Sequence, residues 1–185
     1  MPHIALPQGL PGISSAMAYR PDTAKPLREL AEVLLRGENS LTSAERETIA
    51  AFVSDRNECD FCLLSHRAAA AHHPGGSYEL VDAVRLDPQT APVSAKLKAL
   101  LAIAGKVQAG GRHVTADDVG RARAEGATDL EIHDTVLIAA AFCMYNRYVD
   151  GLATWTPADP ALYDAMGQRM AAQGYVGVSP AERKA

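Results

Sequence analysis

Cysteine is scarce in this chain: three among 185 residues, at positions 59, 62 and 143. So few exclude the disulfide framework of a small secreted domain. In a reducing compartment a close cysteine pair points instead to metal binding or redox chemistry. A basic excess is also missing. The formal charge of −4 and the isoelectric point near 5.8 argue against a nucleic-acid or anionic-membrane footprint. Long apolar runs are absent. The longest, Val136 to Tyr145, has ten residues, whereas a membrane helix needs roughly 20. The start, "MPHIALPQGLPGISSAM", has no basic region and is broken by prolines and glycines, so no secretory leader is expected. The expected setting is soluble and cytoplasmic. Alternating β-branched runs between hairpin turns, the mark of strands, are missing too. Alanine richness is the one compositional bias.

Helix signals are plentiful. The length suits one domain able to bury a core without staples. Residues 1–21 carry Pro2, Pro7, Pro11 and Pro21 without a clear period and read as an extended N-terminal arm. Residues 22–172 read as a single all-helical domain and residues 173–185 as a tail. Asp22 or Thr23 can cap a first helix with Pro26 in its first turn. Thr42 and Glu45, Thr115 and Asp118, and Thr128 and Glu131 have capping spacing. Ser77 opens a short helix, Val93 to Ala109 is a longer one closed by Gly110-Gly111, and a last helix runs from about Pro160 to Ala172. The stretch from Asp129 to Leu152 is apolar on nearly all sides in its middle, which makes it central. The expected fold is all-α, with seven or eight helices.

Within this pattern stands "SAERETIAAFVSDRNECDFCLLSHRAAAAHH". On a helix, Cys59, Cys62 and His66 fall three and four residues apart and share one face. A thiolate is the reactive form of cysteine, and a helix N-terminus stabilises it. His66, one turn along, can take a proton from Cys62, and Glu47 on the preceding helix can orient His66 if the two helices pack side by side. The other thiol can resolve the product. Zinc is the first alternative, with Cys59, Cys62, His66 and Glu47 as ligands, but no second knuckle accompanies them. Covalent haem requires the histidine immediately after the second cysteine, where Leu63 stands. Singly, each residue would be an ordinary core cysteine or helix histidine; matched spacing beside the polar break "RNECD" makes them a site. Cys143, inside "AAAFCMY", reads as core, and His72 and His73 before Pro74 as a solvated helix end.

These residues resemble the AhpD-like alkylhydroperoxidases of the carboxymuconolactone decarboxylase superfamily, in its peroxidase-related branch. The family pattern is Glu, eleven residues, Cys-x-x-Cys, three residues, His; the chain carries it as Glu47, Cys59, Cys62 and His66. The stretch that ends in Asn146, Arg147 and Asp150 is similar to that branch as well. The resemblance covers about residues 27 to 155. It implies an all-helical fold, a homo-oligomer (a trimer or a trimer of dimers), and reduction of hydroperoxides through a Cys-Cys disulfide. It implies Cys62 as the peroxidatic thiol, Cys59 as the resolving one, and Glu47 with His66 as the proton relay. The helix dipole alone favours the N-terminal thiol; closeness to His66 favours Cys62. The implied partners are a hydroperoxide and an external thiol donor. No metal, haem or flavin is expected in the chain itself. The best-known members have histidine between the cysteines, where this chain has Phe61. Two other readings share the residues: a lactone decarboxylase-like enzyme, which needs no Cys-x-x-Cys, and a redox sensor or assembly module. For Arg147 and Asp150, an intrahelical ion pair is expected, and Tyr145, Arg147 or Tyr148 is a candidate for reaching the redox pocket.

Overall fold

Helices in this chain begin where a side chain can accept the free N–H groups of a first turn. Thr42, Thr115 and Thr128 each accept from the residue three positions on, and Glu45, Asp118 and Glu131 reach back to the threonine N–H. Ser77 and Ser94 cap without the reciprocal bond, and Asp159 caps a helix opened by Pro160. A computed structural model describes residues 1–176 of the chain. It contains α1 (Ile13–Tyr19), α2 (Pro21–Arg36), α3 (Ser43–Arg56), α4 (Asp60–His72), α5 (Tyr78–Leu86), α6 (Ala95–Ala109), α7 (Ala116–Ala124), α8 (Asp129–Gly151) and α9 (Pro160–Gln173). A 3₁₀ turn, Gly111–His113, follows α6. No strand occurs among the described residues, and no helix is long and apolar enough to cross a membrane. The fold is all-α.

Two expectations need correction. Residues 1–21 are not all extended, because Ile13–Tyr19 is helical; this raises the helix count to nine among the described residues. Seven residues make under two turns, too short to show a period or to be stable alone. What holds α1 is burial of Ala16 and Met17 against its neighbours. Further, α2 starts at Pro21, ahead of Asp22 and Thr23, so Pro26 lies inside it. Of the expected tail, residues 177–185 lie outside the described residues.

The long α8 is central, as its apolar sides require. Ile138, Ala139 and Phe142 are buried, with α6 (Leu97, Leu100, Leu101, Ile103) and α3 (Ile49, Ala50, Phe52, Val53) packed against it. Helix α4 lies on α3, and α9 lies on α4. The last contact is close because Gly167 has no side chain: a Cβ there would stand 2.4 Å from the Ala68 carbonyl carbon. Backbone cannot yield cheaply, so Gly167→Ala should cost about 1–3 kcal/mol, read as a lower thermal midpoint by circular dichroism.

Buried charges pin the periphery. Glu131 is fully buried and binds Lys96 Nζ at 2.6 Å, Ser40 Oγ at 2.9 Å and the Thr128 N–H at 2.7 Å. Burial alone would raise its carboxyl, but these donors outweigh that and hold it below the usual range. Asp118 is likewise held low by Lys106, at 2.6 Å, and by the Thr115 N–H. A carboxyl depressed in the folded state stabilises fully above its unfolded value and loses that contribution as pH falls through the folded one. The doubly neutral variant Glu131→Gln/Asp118→Asn should therefore be less stable at neutral pH. Its urea midpoint should fall less than the parent's between about pH 5 and pH 3.

Candidate active site

The capping box at Thr42 sets the start of α3, and this register turns Glu47 inward, with 0 % of it exposed. Helix α3 ends at Arg56, and the chain must reverse before Cys59. It does so at Glu58, whose φ of 58° is left-handed, an uncommon conformation for a residue with a side chain. The Glu58 N–H reaches Asp55 O and the Cys59 N–H reaches Ser54 O, both at 3.0 Å. Side chains fasten this turn from α8 and α6. Asn57 Nδ2 donates to Asn146 Oδ1 at 2.8 Å, and Asn146 Nδ2 donates to Ser54 Oγ at 3.0 Å. Gln108 Nε2 donates to Asn57 Oδ1 at 3.0 Å. Asn146 is fully buried.

The turn delivers Cys59 as the N-cap of α4, with Cys62 in the first turn and His66 one turn further. The two cysteines come within 3.2 Å of each other. Both are free thiols and nearly buried, at 1 % and 4 % exposure. Hydrogen bonding to Cys62 and then burial push the Cys59 thiol up. Across the α3–α4 interface, His66 Nδ1 lies 2.7 Å from Glu47 Oε2. A carboxylate beside Nδ1 accepts a hydrogen bond from its N–H, keeps the proton on that nitrogen, and leaves Nε2 with a free lone pair. The Phe142 ring meets the imidazole edge-on at 4.5 Å and fixes its plane. The four residues singled out by spacing thus form two close pairs, Cys59 with Cys62 and Glu47 with His66.

A fifth residue joins them that the sequence pattern did not mark. Tyr175, two residues past the end of α9, donates from Oη to Glu47 Oε1 at 2.5 Å and lies 3.5 Å from His66 Nδ1. Burial first, and the Glu47 carboxylate second, raise its hydroxyl well above the usual phenol value, so it remains a donor. Gly174, with φ 73°, ends α9 and turns the chain back. Glu32 then takes the Tyr175 N–H at 2.7 Å, while Arg36 binds the last carbonyls of α9, Ala171 O at 2.7 Å. The available signal was a tyrosine directly after a helix-ending glycine.

Cys62 and His66, but not Cys59, line a cavity of about 420 Å³. Its walls are mainly apolar, with Phe61, Leu27, Phe142, Trp155 and Met166 among them. Phe61 faces Tyr163, ring centroids 6.1 Å apart, and touches Gly12 so closely that a Cβ there would lie 2.1 Å from the ring. Gly12 also donates to Trp155 O at 2.8 Å. The aromatic residue between the cysteines therefore seats the N-terminal segment over the cavity.

A peroxidase-related protein from Silicibacter sp. TM1040 superposes with a TM-score of 0.74 at 27 % identity, over 85 % of this chain and 80 % of that one. An AhpD-core, peroxidase-related protein from Ralstonia eutropha JMP134 gives 0.73 and 27 %, over 86 % and 82 %. Both are described as uncharacterized. The chain has an AhpD-like fold, similar to that of these peroxidase-related proteins. A protein of unknown function from Agrobacterium tumefaciens, a candidate AhpD antioxidant-defence protein, shares the fold alone, at 0.67 and 20 % over 78 % and 97 %. No protein-family model and no curated protein matches the chain.

Around this AhpD-like centre some expectations change. Arg147 does not pair with Asp150; its Nη1 donates to Cys143 O, 2.8 Å away and one turn back. Asp150 instead lies beside Cys59 and Asp60, and burial pushes its carboxyl up. Of the aromatic candidates on α8, Tyr145 reaches the cavity wall and donates to Leu27 O at 2.9 Å, while Tyr148 donates to Ala16 O. His73 is buried rather than solvated, and burial lowers its pKa. His72 pairs with Asp164 at 2.8 Å. Among the described residues no group of three His, Cys, Asp or Glu side chains is arranged to hold a metal.

Asn146→Leu tests how far the turn depends on α8. It leaves the Asn57 amide and the Ser54 hydroxyl without their partner. A cost of about 1–3 kcal/mol is expected, with faster alkylation of Cys59 by iodoacetamide, read by peptide mass mapping.

Proposed function

We propose that this AhpD-like chain is a thiol-dependent peroxidase in which Cys62 attacks the peroxide and Cys59 resolves the product. The observation that carries this reading is the line from the buried Glu47 to His66, at 2.7 Å, ending at a cavity that Cys62 shares with His66 and Cys59 does not. Two features support the order of the thiols. Cys62 faces the cavity, and His66 stands one helical turn from Cys62. His66 Nε2 takes the Cys62 proton, and Glu47 stabilises the imidazolium that results. Tyr175 is a positioning residue: it holds the second Glu47 oxygen and so aims the first at His66.

The Cys62 thiolate attacks the distal oxygen of a hydroperoxide. The O–O bond breaks, an S–O bond forms, and the alkoxide takes the imidazolium proton and leaves as an alcohol. Cys62 is now a sulfenic acid, two electrons more oxidised. Cys59, 3.2 Å away, attacks that sulfur. The S–O bond breaks, hydroxide departs with the Cys59 proton as water, and a 59–62 disulfide forms. An external dithiol then reduces it by exchange and becomes a disulfide itself. In sum, one hydroperoxide and one dithiol give an alcohol, water and a disulfide.

Reduced protein given one equivalent of tert-butyl hydroperoxide should lose two thiols and show the 59–62 disulfide by mass spectrometry. Loss confined to Cys143 rejects the reading. Cys59→Ser should stop at a sulfenic acid on Cys62 that dimedone traps. His66→Ala should slow thiol oxidation about a hundredfold near neutral pH. The deficit should shrink at alkaline pH, where the thiol ionises without help. A profile parallel to the parent's rejects the relay.

A further inference from the structure

The cavity at Cys62 is apolar but carries two cations. Arg28, from α2, and Arg169, from α9, both line it, and both are half-buried. Neither has a hydrogen-bond or salt-bridge partner among the described residues. For Arg28 this is unexpected, because Glu32 stands one helical turn on, at the spacing that suits an ion pair. The Glu32 carboxylate is engaged elsewhere, by Arg36 Nε at 3.3 Å and by the Tyr175 N–H at 2.7 Å. Arg169 has no carboxylate three or four residues away on α9 in either direction. Among the described residues five arginines pair with carboxylates, Arg36, Arg67, Arg85, Arg121 and Arg123; of those without one, Arg28 and Arg169 line this cavity.

A half-buried guanidinium gains most from a carboxylate, which it can hold by two parallel charge-assisted hydrogen bonds. Two of them on the wall of an apolar cavity form a complementary site for an amphipathic anion. The volume, about 420 Å³, is in the range of small-molecule sites. The apolar lining from Leu27, Leu162, Met166 and Met170 would take a hydrocarbon body. We propose that the cavity selects organic hydroperoxides with an apolar body and a carboxylate, and that Arg28 and Arg169 read the carboxylate. This rests on the peroxidase reading and names its substrate class. The redox step is unchanged: the O–O bond is cleaved by Cys62, and the carboxylate takes no part in the chemistry.

The test is single-turnover thiol oxidation of the reduced full chain by three probes: a fatty-acid hydroperoxide, its methyl ester, and tert-butyl hydroperoxide. The acid should react at least about tenfold faster than the ester, and the advantage should shrink as salt is raised. In Arg28→Gln/Arg169→Gln the acid-to-ester ratio should fall towards one. Equal rates for acid and ester in the parent, or an undiminished ratio in the double variant, overturn the proposal. If none of the three probes oxidises the dithiol, the peroxidase reading is what fails. The anion site is then decided by calorimetry with the unoxidised fatty acid. Binding weakened about tenfold or more in the double variant upholds it. Absent binding, or binding indifferent to the substitutions, overturns it.

Discussion

A carboxylate taken wholly out of water is costly unless charge and hydrogen bonds replace the solvent. Glu47 is that carboxylate, and its two oxygens meet His66 from α4 and Tyr175 from the segment after α9. Arg46, beside it in sequence and also buried, donates to Leu34 O at 3.0 Å and brings a positive charge near. Much of the architecture serves to satisfy this one group. Helices α3 and α4 must pack in the register that aligns Glu47 with His66. Helix α9 must come close enough to α4 for its end to return, which Gly167 permits against Ala68. The return itself needs Gly174 and the anchors from Glu32 and Arg36. The proposed catalytic use rests on the same arrangement, because a histidine tied at Nδ1 offers Nε2 as a base.

The dithiol is placed by a second constraint, the short connection from α3 to α4. Two residues, one of them in a left-handed conformation, bring Cys59 to the N-cap. Bonds from Asn146 and Gln108 hold that turn at a distance from the cavity. The part of the family resemblance ending in Asn146 is thus explained as support for the loop, while Arg147 caps a backbone carbonyl of its own helix. Phe61 has a structural task at the position where the best-known AhpD members have histidine. It closes the site with the N-terminal segment and adds an apolar wall. In the proposed reaction the proton chemistry rests on Glu47 and His66, with Tyr175 behind them.

Much of this was legible in the sequence because it is local. Capping pairs at Thr42, Thr115 and Thr128 and the breaks at Pro74 and Gly110 set most helix limits within a residue or two. Cys59, Cys62 and His66 share a face by helical spacing alone. Short and non-local features were not legible. Helix α1 is too brief to show a period and exists through burial. The Arg147–Asp150 pair was reasonable by spacing, yet a backbone carbonyl won the arginine. Arg28 has Glu32 one turn on, but Arg36, one turn further along the same helix, and the distant Tyr175 N–H occupy that carboxylate. His73 sat in a polar-looking helix end, and neighbouring elements bury it.

The sequence by itself determined the all-α class, the helix starts and the one-sided array of two thiols and an imidazole. These depend on a 3.6-residue repeat and on groups within a turn of each other. Tertiary structure alone decided that Glu47 reaches His66, that Tyr175 completes their cluster, that Cys62 rather than Cys59 opens to the cavity, and that Arg28 and Arg169 stand there without carboxylates. Each of these depends on how helices far apart in the chain cross. The crossing is set by packing and by the need to satisfy buried charge, neither of which is visible within any one segment.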